Sequence, residues 1–167
     1  MKVGRDIPKR IGRYEILESL GAGGMASVWL ARYRVVNSVY RHVAIKAMHP
    51  HLRGQPEWLE SFQREAHMAA AIDHRNVVSV LEVIDDALGI FLVIDYIAGP
   101  SLAKLLRRPN ELPRGVSGRI LLDALEGLHA AHEVSSEGEP LAIVHRDFTP
   151  HNILIGEDGI GRLTDFG

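Results

Sequence analysis

The chain has 167 residues, a formal net charge of −2 and no cysteine. That length suits one domain of ordinary size, or one lobe and part of another; the small net charge gives no electrostatic pull toward nucleic acid or an anionic membrane, and the lack of cysteine excludes disulfides and thiolate chemistry and fits a reducing cytoplasm. With 46% hydrophobic and 24% charged residues the composition is that of a soluble globular protein, and no apolar run approaches the ~18 residues of a membrane span.

In chain order, residues 1–13 carry Lys2, Arg5, Lys9, Arg10 and Arg13 with no apolar stretch after them, so they read as a basic lead-in and not as a secretory signal. Residues 14–20 have strand character and run into the glycine-rich Gly21-Ala22-Gly23-Gly24, with Val28 to Arg32 as the returning strand of a hairpin. His42 to Met48 is a third strand, and Val35 to Arg41 a polar-edged connection able to lengthen its neighbours. Pro56-Glu57 suits a helix start, because proline is tolerated in the first turn and an acid there complements the dipole. Over residues 57–72, Leu59, Phe62, Ala66, Ala69 and Ala70 recur at helical spacing. Val77 to Ile84 and Ile90 to Ile97 are apolar runs parted by Asp85-Asp86-Ala87-Leu88-Gly89, a second hairpin. Residues 14–98 therefore read as a five-stranded antiparallel sheet with one long helix.

Ala98-Gly99-Pro100 breaks this pattern and marks a boundary, with 99–167 as a second region. Ser101 can cap a short helix through Arg107, and Pro113 opens a long helix to about Glu133. In that helix Ile120, Leu121, Leu122, Leu125 and Leu128 go round much of the circumference, so an exposed apolar patch is expected over 114–133, with self-association or a partner as its result. Ser135 to Pro140 is a loop by composition. Ile153–Ile155 and Arg162–Thr164 are short strands turned by Glu157-Asp158-Gly159. The nine histidines invite a metal reading, with His129 and His132 on one helix face and His145 near His151. No cysteine and no His-Glu-x-x-His pattern supports it, so they read as surface or structural residues.

Four stretches carry chemistry. Glycines at the hairpin tip let backbone N–H groups approach phosphate oxygens with no Cβ in the way, although Gly21-Ala22-Gly23-Gly24 alone also fits a plain tight turn. In Val43-Ala44-Ile45-Lys46 the apolar residues alternate with the sheet and Lys46 points the other way from its neighbours. His145-Arg146-Asp147-Phe148-Thr149-Pro150-His151-Asn152 and Asp165-Phe166-Gly167 follow. An aspartate with an asparagine carbonyl offers the hard oxygens that Mg²⁺ prefers.

In this order the four stretches resemble those of a bacterial serine/threonine protein kinase of the eukaryotic-like type. Residues 74–78, His-Arg-Asn-Val-Val, and 92–99, Leu-Val-Ile-Asp-Tyr-Ile-Ala-Gly, resemble the family's segments after the N-lobe helix and at the hinge, and the likeness covers about residues 11–167. The resemblance implies an α+β fold: a kinase N-lobe of five strands and one helix, and a helical C-lobe that is incomplete. It implies ATP and Mg²⁺ as cofactors and a protein serine or threonine as substrate, with neither nucleic acid nor membrane as partner. Gly21, Ala22, Gly23 and Gly24 would cover the phosphates. Val28, Ala44 and Leu154 would sandwich adenine, whose edge would meet the backbones of Asp95 and Ile97 behind the gatekeeper Ile94. Lys46 would contact the α- and β-phosphates and pair with Glu65, Asp147 would accept the hydroxyl proton, and Asn152 and Asp165 would hold the metal. Arg146 would pair with an activation-loop phosphate. Two positions depart from the family pattern: Ala26 stands where the third glycine is usual, and Thr149 where a lysine is common. The sequence ends at Asp165-Phe166-Gly167, before any activation segment, so this chain alone is expected to transfer phosphate poorly. A non-catalytic nucleotide-binding or interaction module is the alternative.

Overall fold

The strand-rich first part of the chain builds one antiparallel sheet. The structure, a computed structural model, describes residues 8–86, 89–109 and 111–166, with all their side chains except that of Asp86. Strands β1 (Arg10–Ile11), β2 (Tyr14–Ala22), β3 (Ala26–Val36), β4 (Val39–Met48), β5 (Val80–Asp86) and β6 (Gly89–Asp95) lie in the order β1-β2-β3-β4-β6-β5. The five expected strands are all present. The sixth, β1, pairs Arg10 and Ile11 with Glu15 and Tyr14 and buries Ile11. Two residues with one apolar side chain show no alternation, which is why this stretch reads as lead-in from sequence. Residues 1–7, and Ala87 and Leu88 of the second hairpin, lie outside the described residues.

Period-two alternation sorts the sheet into two faces. Ala31, Val43, Ile45, Ala47, Phe91 and Val93 form one core with Ile11 and Tyr14. The Tyr14 hydroxyl donates to Glu82 at 2.5 Å, and Arg13 donates to the same carboxylate at 3.1 Å. The opposite face, with Ala26, Met48, Ile90 and Leu92, packs against Phe62 and Ala66 of α1 (Pro56–Ala70) and against Leu52 of the short 3-10 turn Pro50–Leu52. Burying a side chain such as Phe62 is worth roughly 1.5–3 kcal/mol, enough to fix which face of α1 turns inward.

The chain divides into two compact units, residues 1–66 with 80–96, and residues 67–79 with 97–167. The boundary expected at Ala98 thus falls two residues earlier, and 67–79 belong with the second unit because Ile72 and Val77 enter its core. That core also holds Ile120, Ala124 and Ala131 of α3 (Arg114–His132), together with Ile143, Ile153, Leu163 and Phe166. The short α2 (Leu102–Leu106) is capped by Ser101, whose hydroxyl accepts from the Lys104 N–H at 3.3 Å. Of the five apolar residues expected around α3, Ile120 is buried and Leu128 packs on the core, whereas Leu121, Leu122 and Leu125 are 53%, 57% and 46% exposed. The segment expected as a loop, 135–140, instead forms the hairpin β7 (Ser135–Ser136) and β8 (Glu139–Pro140). Its tip residues Glu137 and Gly138 have φ of 52° and 89°, the left-handed pair that a tight two-residue hairpin needs. No helix among the described residues is long and apolar enough to cross a membrane.

The last two strands, β9 (Ile153–Ile155) and β10 (Gly161–Leu163), pair antiparallel. Strand β10 is suspended from two fully buried polar residues. Asn76 Nδ2 donates to the Gly161 carbonyl at 2.8 Å, and the Gly161 N–H donates to Asp123 Oδ2 at 2.8 Å. The Leu163 N–H donates to the Asn76 carbonyl, and Leu163 in turn accepts from the Val78 N–H, both at 2.8 Å. Helix α3 approaches the same segment so closely that a Cβ at Gly127 would lie 2.5 Å from the Asn76 carbonyl oxygen.

Two glycines of α3 should therefore respond oppositely to alanine. At Gly118 a Cβ meets nothing within 4 Å, so Gly118→Ala should stabilise by about 1 kcal/mol, the helix-propensity difference. At Gly127 the clash with backbone outweighs that gain, and Gly127→Ala should destabilise by about 1–3 kcal/mol. Urea denaturation of both variants checks the pair of signs.

Candidate functional site

In the first unit the glycine-rich hairpin, Lys46 and Glu65 are set by one sheet and one helix. Gly21 and Ala22 are the end of β2, paired with Val28 and Ser27, so the turn is shorter than the four-residue stretch expected and centres on Gly23, Gly24 and Met25. The Gly23 N–H closes it by donating to the Ala26 carbonyl at 2.8 Å. Ala26, where the family has glycine, is buried against Met48 and α1. Val28 lies opposite Lys46, and Leu30 opposite Ala44, across β3 and β4; Ala44 faces Ile94 across β4 and β6. Val28, Ala44, Lys46 and Ile94 therefore share one face of the sheet. Lys46 forms an ion pair with Glu65, and both side chains are largely buried, at 12% and 7% exposure. Burial fixes Glu65 between Phe62 and Ala66 on the inward face of α1, so it is not the solvated helix acid that its composition class suggests. Removing one member of such a pair leaves an uncompensated buried charge, at a cost of about 3–5 kcal/mol. Asp95 ends β6 opposite Val43.

In the second unit the segment after Ile97 is tied down by its own strand pair. The Glu157 N–H donates to the Ala98 carbonyl and the Ile155 N–H to the Pro100 carbonyl, each at 2.9 Å. A Cβ at Gly99, where φ is +155°, would collide with the Ile155 carbonyl. Leu154 sits half-buried on β9 and bridges to Ser101.

Asp147 is exposed and Asn152 buried, in a 3-10 turn at Pro150–Asn152. Asn152 Nδ2 donates both to Asp147 Oδ2 at 2.8 Å and to the Asp147 carbonyl at 3.0 Å. With the amide nitrogen so engaged, Asn152 Oδ1 has no hydrogen-bond partner among the described residues. The Thr164 N–H donates to the Asn152 carbonyl at 3.0 Å, which brings the start of Asp165 beside it. Asp147 and Asn152 are thus bonded to each other and, through Asn152, to Thr164, the residue before Asp165. Arg146 and Asp165 have φ of 59° and 62°, left-handed values that cost a non-glycine residue about 1–3 kcal/mol and cluster at functional sites. Phe166 is buried and packs on the His145 ring at 4.6 Å between centroids. Both His145 ring nitrogens are buried without a hydrogen-bond partner, so this histidine contributes a ring face that ties the segment carrying Asp147 and Asn152 to the residue after Asp165. Gly167 lies outside the described residues.

The donor set suits a magnesium–nucleotide complex. Asn152 Oδ1 and the Asp165 carboxylate are hard oxygens, and Mg²⁺ commonly takes one or two protein oxygens and completes its shell with phosphate and water. No cluster of three or more His, Asp or Glu that could hold a metal occurs among the described residues. Asn76, Asp123 and the packing role of His145 escape sequence reasoning. The only signal for Asn76 is its place in the His74-to-Val78 segment, and Asp123 looks like a surface helix acid.

The family model of the protein kinase domain matches residues 14–167. The chain is 37% identical over 161 residues to the tyrosine-protein kinase MasK of Myxococcus xanthus, covering 93% of this chain and 25% of that protein. It is 35% identical over 162 residues to the serine/threonine-protein kinase PrkC of Bacillus subtilis, covering 96% of this chain and 24% of that protein. It thus spans about a quarter of the length of these curated relatives. The solved kinase domain of PknI from Mycobacterium tuberculosis has the same fold, with a TM-score of 0.72 at 24% identity, covering 99% of this chain and 63% of that one.

The turn between β9 and β10 has an acid-sensitive link. Asp158 accepts from Arg162 Nη2 at 2.6 Å and from the Ile160 N–H at 3.1 Å. Chiefly through Arg162, these bonds lower its pKa from 3.8 to about 2. A depressed carboxylate stabilises the fold above its unfolded pKa and loses that contribution as pH falls through the folded one. The stability difference between wild type and Asp158→Asn should therefore be full above about pH 4 and shrink toward pH 2, as thermal melts across that range will read.

Proposed function

This chain belongs to the protein kinase domain family, and from that premise we propose that it binds Mg·ATP and serves transfer of the γ-phosphoryl group to a serine or threonine hydroxyl of a protein. The observation that carries the reading is the double hydrogen bond from Asn152 to Asp147, which orients a carboxylate and leaves a hard amide oxygen free. Asp147 takes the proton of the attacking hydroxyl. The hydroxyl oxygen bonds to the γ-phosphorus as the bond to the β–γ bridging oxygen breaks, and ADP leaves. Mg²⁺, when bound by Asn152 and Asp165, neutralises the phosphate oxygens. Lys46, held by Glu65, meets the α- and β-phosphates beneath the Gly21–Gly24 hairpin. Val28, Ala44 and Leu154 contact adenine, and the backbones of Asp95 and Ile97 read its edge beside Ile94.

Serine or threonine as acceptor is supported by the names of several relatives, PrkC among them, while MasK is named a tyrosine kinase. Thr149 in place of a lysine favours a second reading, nucleotide binding without transfer, because it removes a cation from the neighbourhood of the transferred group. Use of ATP and a protein substrate supports the cytoplasm as the setting of the activity. Leu121, Leu122 and Leu125 give α3 an apolar face suited to self-association. Sedimentation at rising concentration, compared with Leu121→Glu, tests that face; a monomer throughout would count against it.

Thermal melts with and without Mg·ATP test the nucleotide. At a hundredfold excess over Kd the wild type should gain about 2.7 kcal/mol, and Lys46→Met should lose most of that gain; equal gains would remove Lys46 from the site. Transfer is read with labelled ATP and a generic basic protein. Label on phosphoserine or phosphothreonine, abolished by Asp147→Asn, is the expected result. Label that survives Asp147→Asn would sink the transfer reading, and nucleotide binding with no label would leave the second.

A further inference from the structure

The glycine-rich tip is braced by a histidine that no motif includes. His49 follows directly on β4, three residues after Lys46. Its backbone N–H donates to the Met25 carbonyl at 3.0 Å, and its ring Nε2 lies 2.9 Å from the Gly23 carbonyl. One residue therefore holds the carbonyls on both sides of Gly24. A carbonyl cannot donate, so Nε2 carries a proton in this contact, and Nδ1 faces the Ser27 hydroxyl at 3.5 Å. The ring of His51 lies nearly parallel to that of His49, at 5.6 Å between centroids and 13° between planes.

The consequence for the tip follows from peptide geometry. A trans peptide is planar, and its C=O and N–H point in opposite directions. With the Gly23 carbonyl turned onto His49, the Gly24 N–H of the same peptide faces away from it. That N–H makes no backbone hydrogen bond among the described residues. Glycine without a side chain would otherwise let this peptide flip freely.

We propose that His49 is a positioning residue that fixes the Gly23–Gly24 peptide so that the Gly24 N–H is presented to a nucleotide phosphate. This rests on the reading of the chain as an Mg·ATP binder and adds to it a specific orienting contact outside the glycine-rich hairpin. The role given to the ring is orientation of the peptide, through its contact with the Gly23 carbonyl.

Two measurements on wild type, His49→Ala and His49→Gln test it. The first is the NMR order parameter of the Gly23 and Gly24 amides in nucleotide-free protein. It should fall from about 0.85 to below about 0.6 in His49→Ala and recover in His49→Gln, whose amide can donate to the same carbonyl. The second is the Kd for Mg·ATP, which should rise about fivefold in His49→Ala, the factor that one net hydrogen bond carries, and return to within about twofold in His49→Gln. Unchanged order parameters, or an unchanged Kd, in His49→Ala would overturn the proposal. If the wild type itself bound no Mg·ATP, the nucleotide reading would fall, and with it the phosphate role of Gly24, while the order parameters would still decide whether His49 rigidifies the tip.

Discussion

One glycine, Gly161, is held at both of its backbone polar atoms by side chains that water does not reach. Asn76 donates to its carbonyl and Asp123 accepts from its N–H, each at 2.8 Å. A net hydrogen bond of this kind is worth about 1 kcal/mol, but leaving a buried partner unsatisfied costs about 1–3 kcal/mol, so the two bonds are better viewed as constraints than as sources of energy. Strand β10 has only three residues, too few for a two-stranded ladder to be stable alone. The tie is what gives that short strand a fixed register, and Thr164 and Asp165 inherit their positions from it. Arg119, paired with Asp123 at 2.8 Å, offsets the charge of the buried carboxylate.

A different logic fixes the first unit. There, β4 alternates Val43, Ile45 and Ala47 into one core with Ala44, Lys46 and Met48 on the other face. The strand thus spends Val43, Ile45 and Ala47 on one core and Met48 on the other, and turns Ala44 and Lys46 to the candidate site. A shift of register by one residue would bury Lys46 in the wrong core, so the apolar packing that stabilises the sheet also enforces the direction of its cation. Glu65 is placed by the same economy, since Phe62 and Ala66, which anchor α1, flank it on the buried face.

What sequence made legible was whatever repeats or stands adjacent. Strand character and apolar runs between turns marked β2 to β6, a proline start and helical spacing marked α1, a proline start marked α3, and contiguous motifs singled out Lys46, Asp147, Asn152 and Asp165. Features that depend on a single residue stayed hidden. Strand β1 has no period to show, and the β7–β8 hairpin needs Glu137 in a left-handed conformation that polar residues adopt only occasionally. Asn76 and Asp123 belong to residue types that are mostly exposed, and nothing local marks them as interior. His49 acts through a contact to a loop 26 residues earlier, which no pattern of neighbouring residues encodes. The outward leucines of α3 were anticipated as apolar, but which three face outward is set by the positions of Ile72, Val77 and Leu163.

The bond between Asn76 and Gly161 spans 85 residues of sequence. A ribosome adding about 5–20 residues each second would deliver Gly161 roughly 4–17 s after Asn76. For that interval the 67–79 segment has left the ribosome without the strand that completes its core, with Ile72 and Val77 in need of cover. This segment of the nascent chain is accordingly exposed to chaperones and proteases in the window before β10 is made.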